Sequence, residues 1–305
     1  MSVYTIRNYH ASDLDRLLGL GSTVRAQDQT GCVISPSDLI ESVTRRDFCF
    51  ANVMVAEEAG EITGYASVTP ENQLGRAVLR WRVYPGRRTG VIAGNLVDTA
   101  MARTLALGIT TVHVNIWQNS PTARRLLYRR GFRCIRRYVE LRMDLSKTHV
   151  PELKKSRLRF LQPGWEEALT RLQNRCFAGV WGYNLNTVDE MILRTRLPGC
   201  SRKDIIIAFG PDKQPVGYCW TKTYFSDKGP KQRIGRIHML GVDPDYRGKG
   251  IGRQLLTAGI SELARKNFRI VELTADQENK AACALYGSVG FKDRKSSLWY
   301  EKKID

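Results

Sequence analysis

The sequence lacks several features that would assign a protein to a class at once. No apolar run approaches the roughly 18 residues of a membrane-spanning helix, and the polar, acidic start does not resemble a signal peptide. The seven cysteines include no CxxC pair, and the four histidines show no metal-ligand spacing. We therefore expect a cytoplasmic protein in a reducing compartment, with no disulfide framework, metal site or membrane partner.

Negative charge is also scarce. Against 48 lysines and arginines stand 30 acidic residues, which gives a formal net charge of +18 over 305 residues. Such an excess favours an anionic partner without choosing among nucleic acid, an acidic surface and a phosphorylated cofactor. An arginine-rich run contains Arg124, Arg125, Arg129, Arg130, Arg133, Arg136, Arg137 and Arg142. A solvated basic face is the favoured interpretation of this run. The less favoured one is a surface for RNA or for an acidic acceptor, and no aromatic-rich pattern typical of RNA binding accompanies it.

The same order of predicted strands and helices occurs twice along the chain. Val83-Tyr84-Pro85 and Val242-Asp243-Pro244 lie 159 positions apart, and the same offset relates further pairs in the cores, among them Leu96 with Leu255, Val112 with Val271, Leu126 with Leu285 and Phe132 with Phe291. Identities in fixed phase indicate an internal duplication of an α/β domain. The sequence predicts one domain over residues 1–146, a polar linker over 147–156 and a second domain over 157–305.

A glycine-rich turn in the second copy is a candidate anion site. The stretch VDPDYRGKGIGR, residues 242–253, separates a predicted strand from a predicted helix. Backbone amides at a helix N-terminus lack partners, and the helix dipole adds positive potential, so a pyrophosphate fits there. The stretch is neither a Walker loop nor a GxGxxG motif. Taken alone, an ordinary surface turn explains it about as well.

A second motif, over residues 279–291, favours the anion site over an ordinary surface turn. Together the two motifs resemble those of the GNAT superfamily of acyl-CoA N-acyltransferases: Arg247, Gly250 and Gly252 match its pyrophosphate motif, and Asn279, Ala282, Leu285, Tyr286, Gly290 and Phe291 match its later signature. The resemblance implies an α/β fold with a mixed (α+β) sheet, two tandem GNAT-like domains and acetyl-CoA as co-substrate. The tandem arrangement is similar to that of the mycothiol synthases.

The resemblance also implies the roles of individual residues. The pantetheine arm would pair with the main chain of Leu240, Gly241 and Val242, and Asn279 would flank the thioester. The pyrophosphate would be held by Arg247, Gly248, Lys249, Gly250, Ile251, Gly252 and Arg253. Tyr286 would protonate the departing thiolate, a task that suits a phenol with a pKa near 10. The alternative for Tyr286 is packing of the helix on the sheet.

The general base is less clearly indicated. Where many members carry a glutamate, this strand carries Arg236 and His238 and no carboxylate. His238 suits proton removal because its ordinary pKa is near 6.5, although a histidine that merely lines the cleft is an equal alternative. Glu272 on the neighbouring strand is the reserve candidate. The aromatic loop with Phe177, Trp181 and Tyr183 is the predicted acceptor contact, or else hydrophobic filler.

The first copy has lost the chemical residues. Under the same offset Gly250 becomes Val91, Tyr286 becomes Leu127 and Asn279 becomes Ser120. We therefore expect residues 1–146 to be structural or substrate-shaping. The predicted activity is acetyl transfer to a primary amine of a small molecule or peptide, by a monomer or dimer. The alternatives are a non-catalytic CoA-binding scaffold and a basic RNA-associated module.

Overall fold

The computed structural model describes residues 4–17, 49–84, 89–147, 157–197, 200–225 and 233–304. The chain divides into two compact units. Unit 1 comprises Met1–Tyr138 and Lys295–Asp305, and unit 2 comprises Val139–Arg294. The predicted helix after Pro36 lies outside the described residues, as does all of the predicted linker except Lys147. No helix of the described residues is long and apolar enough to cross a membrane.

Twelve strands and six complete α-helices lie within the described ranges, together with residues 14–17 of a further helix and several short 3-10 turns. The strands are β1 Thr5–Asn8, β2 Val53–Glu58, β3 Glu61–Glu71, β4 Arg76–Val83, β5 Thr111–Trp117, β6 Arg133–Asp144, β7 Leu158–Phe160, β8 Ile205–Phe209, β9 Pro215–Phe225, β10 Arg233–Val242, β11 Ile270–Asp276 and β12 Lys292–Lys303. The helices are α1 Thr89–Ala106, α2 Pro121–Arg129, α3 Glu166–Phe177, α4 Val188–Arg196, α5 Ile251–Arg265 and α6 Lys280–Val289. The fold is a mixed α/β fold, as predicted.

Unit 1 is a mixed sheet with helices packed on it. Its strand order is β1-β2-β3-β4-β5, followed by β12. The pairs β1–β2, β2–β3 and β3–β4 are antiparallel, whereas β4 and β5 are parallel. Helix α1 supplies Leu96, Val97 and Ala100 to a core that also contains the buried Trp81. Burial of these apolar side chains provides the main driving force for folding of this unit.

Unit 2 repeats this plan with helices on both faces. Its strand order is β6-β11-β10-β9-β8-β7, with β10 parallel to β11 and antiparallel to β9. Helix α5 packs Leu255 and Leu263 against one face, in a core that includes Cys219 of β9. Helices α3 and α4 cover the other face, where Tyr218 and Trp220 of the same strand lie. Alternating residues of β9 therefore belong to different cores, as the pleat requires.

The closing strands divide differently from the predicted contiguous domains. Residues 139–144 of β6 belong to unit 2, and residues 295–303 of β12 belong to unit 1, where Ser297–Lys303 pair with Trp117–Thr111 of β5. Each unit thus takes its last strand from the other half of the sequence. Hydrophobic alternation identifies a strand and its buried face, but it does not identify the neighbour to which the strand bonds.

Candidate functional site

The central feature of unit 2 is a divergence of two parallel strands. Strands β10 and β11 pair from Ile234↔Ile270 to Arg236↔Glu272. Both strands continue, to Val242 and Asp276, without further pairing between them in the described part of the chain. On its other edge β10 stays paired with β9 as far as Val242. The main chain of residues 237–242 therefore has one open edge, which includes the predicted pantetheine-binding residues Leu240, Gly241 and Val242.

A β-bulge lies at the start of this divergence. In the β9–β10 ladder Ile237 pairs with Thr221 and Met239 with Trp220, so His238 is the extra residue. The corresponding β3–β4 ladder of unit 1 runs in unbroken register. The offset between matching residues of the two copies is therefore one residue smaller before the bulge than after it. A bulge re-aims the side chains beside it, and bulges are frequent next to active sites.

His238, the first candidate for the base, is the extra residue of this bulge. Its side chain is solvent-exposed, although the density of protein atoms around the ring is high enough to affect its pKa. Its ring stands edge-on to Trp220, with centroids 5.7 Å apart. Burial, together with the positive charges of Lys222, Arg236 and Arg194, holds the pKa of His238 well below 6.5. Contact with solvent weakens the effect of burial on this pKa. The three positive charges lower the pKa as well, so its direction does not change. The imidazole is therefore neutral at pH 7 and able to accept a proton.

Glu272 is placed very differently. It is 1% exposed, receives a hydrogen bond from Arg142 Nε at 2.7 Å and another from the Tyr224 hydroxyl, and lies 2.8 Å from Arg294 Nη1. Burial alone would raise the pKa of Glu272, but the donors Tyr224 and Arg142 and the charge of Arg294 lower it. The carboxylate of Glu272 is therefore held in its charged form by donors that occupy its oxygens.

The glycine-rich turn has the conformation that the anion hypothesis requires. Gly248 and Gly250 have φ of +76° and +79°, and a Cβ on either would meet no atom within 4 Å. Gly250 caps α5, and no described group accepts a hydrogen bond from the amides of residues 248–253. Open amides and the positive end of the α5 dipole form a cradle that fits a diphosphate.

Arg247 stabilises this turn from within. Its guanidinium donates to the carbonyl oxygens of Val242 at 3.1 Å and Cys176 at 2.8 Å. Arg175 of α3 reinforces the same connection through a bidentate contact with Asp243, at 2.6 and 3.0 Å. The predicted pyrophosphate residue Arg247 is thus committed to holding the loop.

The other two predicted cations border the cradle more loosely. Lys249 Nζ donates to the carbonyl oxygen of Asp245 at 3.1 Å and lies 4.8 Å from the centroid of the Tyr246 ring. Arg253 Nη2 donates to Ser288 Oγ at 2.6 Å. Both residues are exposed, so both contribute positive charge at the α5 N-terminus.

The later signature motif forms the start and the middle of α6. Asn279 is the N-cap, and its Oδ1 accepts from the Ala282 amide at 3.1 Å. Tyr286 is 9% exposed and stands edge-on to Phe291 at 6.2 Å. Burial, with smaller effects from Cys219 and Cys283, raises the pKa of Tyr286 well above 10. Its phenol therefore remains protonated throughout the physiological range.

The predicted acceptor loop is tightly bonded. Phe177 and Tyr183 stack with centroids 5.3 Å apart, and Trp181 is half-buried. The Tyr183 hydroxyl donates to Asn174 Oδ1 at 2.8 Å and accepts from Asn186 Nδ2 at 2.7 Å. These contacts fix the loop that the sequence associates with the acceptor.

Two polar residues under this loop escape prediction from the sequence. Tyr218 and Trp220 are fully buried, yet the Tyr218 hydroxyl and Trp220 Nε1 have no hydrogen-bond partner among the described residues. Both lie on the face of β9 that packs against α3. In the sequence they are indistinguishable from ordinary strand core, because nothing in the pattern indicates a donor without a partner.

Unit 1 presents different residues at the matching positions. Val91, in the place of Gly250, is 58% exposed, and Leu127, in the place of Tyr286, is buried in the core. Tyr128 is 80% exposed, because neighbouring helical residues point about 100° apart. Arg88, the counterpart of Arg247, lies outside the described residues.

Comparison with known proteins gives consistent results. Residues 167–291 match the profile of the acetyltransferase (GNAT) family. A protein named mycothiol acetyltransferase from Thermobispora bispora is 30% identical over 249 residues, which are 79% of this chain and 80% of the relative. The structure of a GCN5-related N-acetyltransferase from Sphaerobacter thermophilus has a TM-score of 0.71 at 20% identity, covering 98% and 95% of the two chains. A tandem GNAT protein from the clavulanic acid biosynthesis pathway has a TM-score of 0.70 at 15% identity, covering 99% and 98%.

Proposed function

This chain belongs to the acetyltransferase (GNAT) family, whose co-substrate is acetyl-CoA, and on that basis we propose that unit 2 transfers an acetyl group to a primary amine. The name of the relative from Thermobispora bispora, mycothiol acetyltransferase, supports a small-molecule acceptor. A peptide amine is the alternative.

One arrangement carries the proposal. The open edge of β10 begins at the bulge of His238 and ends beside the open amides of residues 248–253. The residues present thus fit acetyl-CoA: the amides and α5 would hold its diphosphate, and the main chain of Leu240 to Val242 would receive its pantetheine arm.

Acetyl-CoA supplies an acetyl group that is already activated as a thioester. The tasks of the protein are then to align the amine, to remove a proton from it and to return a proton to the leaving group. We assign proton removal to His238, directly or through a water molecule, because its imidazole is neutral and exposed. We assign proton return to Tyr286, because its phenol stays protonated.

The test is release of free thiol from acetyl-CoA across a panel of amines, with the variant Tyr286→Phe. We expect kcat to fall about a hundredfold or more, the usual contribution of a general acid, while the Kd for acetyl-CoA stays unchanged. Tyr300→Phe in unit 1 is the matched control, since Tyr300 is also buried and should leave kcat unaltered.

The other outcomes identify the alternatives. Binding of acetyl-CoA without thiol release by the wild type, for every amine tried, would support a non-catalytic scaffold. A salt-steep affinity for RNA that acetyl-CoA does not influence would support a nucleic-acid module.

We propose further that unit 1 has a structural or substrate-shaping role. The exposed Val91 and buried Leu127 support this, as does the unbroken β3–β4 register, because each replaces a feature on which unit 2 depends. Restoring glycine at Val91 alone should therefore not create a second catalytic site, which stoichiometric binding of acetyl-CoA and thiol release can check.

A further inference from the structure

Two like charges face each other across the site. Lys222 of β9 and Arg236 of β10 are register partners, and both are half-buried. Side chains directly opposite in an antiparallel pair have Cβ atoms about 4.5–5.5 Å apart, and like charges there are destabilising. Among the described residues neither forms an ion pair: Lys222 Nζ lies 5.8 Å from the Trp220 ring centroid, and Arg236 Nη2 donates to Thr274 Oγ1 at 2.7 Å. The fold therefore retains a repulsive pair that these residues leave unneutralised.

The carboxylate of the neighbouring strand β11 is already engaged. Glu272 is the register partner of Arg236 in β11, but it is held by Arg142, Arg294 and Tyr224. The positive charge of Lys222 and Arg236 is thus left to interact with whatever enters the cleft.

The two cations lie beside the catalytic groups. Arg236 precedes His238 by two residues, and Lys222 follows Trp220 on the same face of β9. The charges of both reach the His238 ring, as does that of Arg194 from α4. Tyr218 and Trp220 of β9 are enclosed in the core beneath α3, so the positive charge beside His238 comes from these three cations. Clustered cations attract an anion and repel a cationic group.

We propose that the acceptor is an amine that carries an acidic group, a carboxylate or a phosphate, which Lys222 and Arg236 bind while the amine faces His238. This inference rests on the proposed function of unit 2 and narrows it. Polyamines and polycationic antibiotics are then disfavoured, because their additional ammonium groups would meet positive charge.

The experiment compares acceptors that differ only in the acidic group. One arm uses β-alanine against β-alaninamide, and the other uses glucosamine 6-phosphate against glucosamine. Calorimetry without acetyl-CoA gives the Kd of each acceptor, and thiol release gives its KM. We expect the acidic member of at least one pair to bind about tenfold tighter or better, as one hydrogen bond to a charged group provides, and the arm that responds distinguishes carboxylate from phosphate.

Three variants separate recognition from general charge. Each of the variants Lys222→Gln and Arg236→Gln should reduce the ratio of the Kd for the neutral member to the Kd for the acidic member about tenfold. Lys292→Gln, at an exposed position of β12, removes the same charge elsewhere and should leave the preference intact. Lys222→Gln should also maintain or raise the free energy of unfolding in urea, because it relieves a like-charge contact. A merely structural lysine would show the opposite change.

The outcomes keep the two proposals apart. Equal binding of acidic and neutral members in both arms, or equal losses in Lys222→Gln and Lys292→Gln, would overturn the anion inference. Thiol release with neutral amines would still support the acetyltransferase. Conversely, the wild type could bind an acidic amine tightly, lose this binding in Lys222→Gln and Arg236→Gln, and release no thiol. That result would support the anion site and refute the proposed function.

Discussion

Gly250→Ala tests the diphosphate cradle with little ambiguity. The new Cβ would meet no protein atom within 4 Å, so within the protein its cost is the backbone strain of a φ of +79°, about 1–2 kcal/mol. Gly60 in the β2–β3 hairpin is a matched position, because it has a φ of +80° and equally open surroundings. Gly60→Ala and Gly250→Ala should therefore lose similar free energies of unfolding in urea.

Binding of acetyl-CoA should separate the two variants. A methyl group at Gly250 projects into space that the ligand would occupy, and it disturbs at least one amide contact to a charged oxygen. Such a hydrogen bond contributes about 1.5–3 kcal/mol, which corresponds to a Kd raised about 10- to 150-fold. Isothermal titration calorimetry measures this change, and Gly60→Ala should keep the wild-type Kd. Unchanged affinity in Gly250→Ala, or an equal loss in Gly60→Ala, would refute this placement of the cradle.

Two further predictions concern charged groups of the cleft. Glu272→Gln should lower the free energy of unfolding by about 1–3 kcal/mol at pH 7, because it leaves the charges of Arg142 and Arg294 partly unpaired, yet kcat/KM should change by less than about fivefold. The folded-state pKa of Glu272 is lowered, so its contribution is full above the unfolded value near 4.3 and disappears as the pH falls through the folded value; urea titrations at pH 7 and pH 3 should show the difference between variant and wild type shrinking. The acid limb of kcat/KM should lie well below pH 6.5 in the wild type, since the pKa of His238 is lowered. Lys222→Gln removes one cause and should move that limb to higher pH; an unmoved limb would exclude His238 as the titrating base.

Hydrophobic periodicity predicts the helices and strands well where the preference of a local segment agrees with its place in the fold. The β2–β3 hairpin turns at Ala59 and Gly60, whose φ values of 53° and 80° are those of a tight turn. The apolar spacing and glycine content likewise locate β10, α5 and α6 to within a few residues. The conformation of the glycine-rich turn follows from the same local rules, because only glycine adopts positive φ readily.

The remainder depends on interactions that no local pattern records. The bulge at His238 is defined by the pairing of β10 with β9, in which His238 has no partner of its own. The ungapped alignment of the two copies begins after this residue, so it does not reveal the insertion. Saturation of Glu272 requires Arg142, which is 130 positions away in sequence. The division of β6 and β12 between the units depends in the same way on the identity of a neighbouring strand.

A comparison of the two units shows what accompanies the inserted residue His238 in unit 2. Unit 1 also has a parallel pair that ends early, since β4 and β5 pair only at Ala77↔Val112 and Val78↔His113 within the described residues. A divergence of parallel strands is therefore common to both units. His113, at the position of Glu272, is buried and lies 2.8 Å from Glu301 through Nε2, so it is engaged within the sheet. Unit 2 adds an exposed imidazole at the bulge, open amides at α5 and a protonated phenol in α6. We infer that activity requires all three together, because proton removal, anchoring and proton return are separate tasks that no single residue performs.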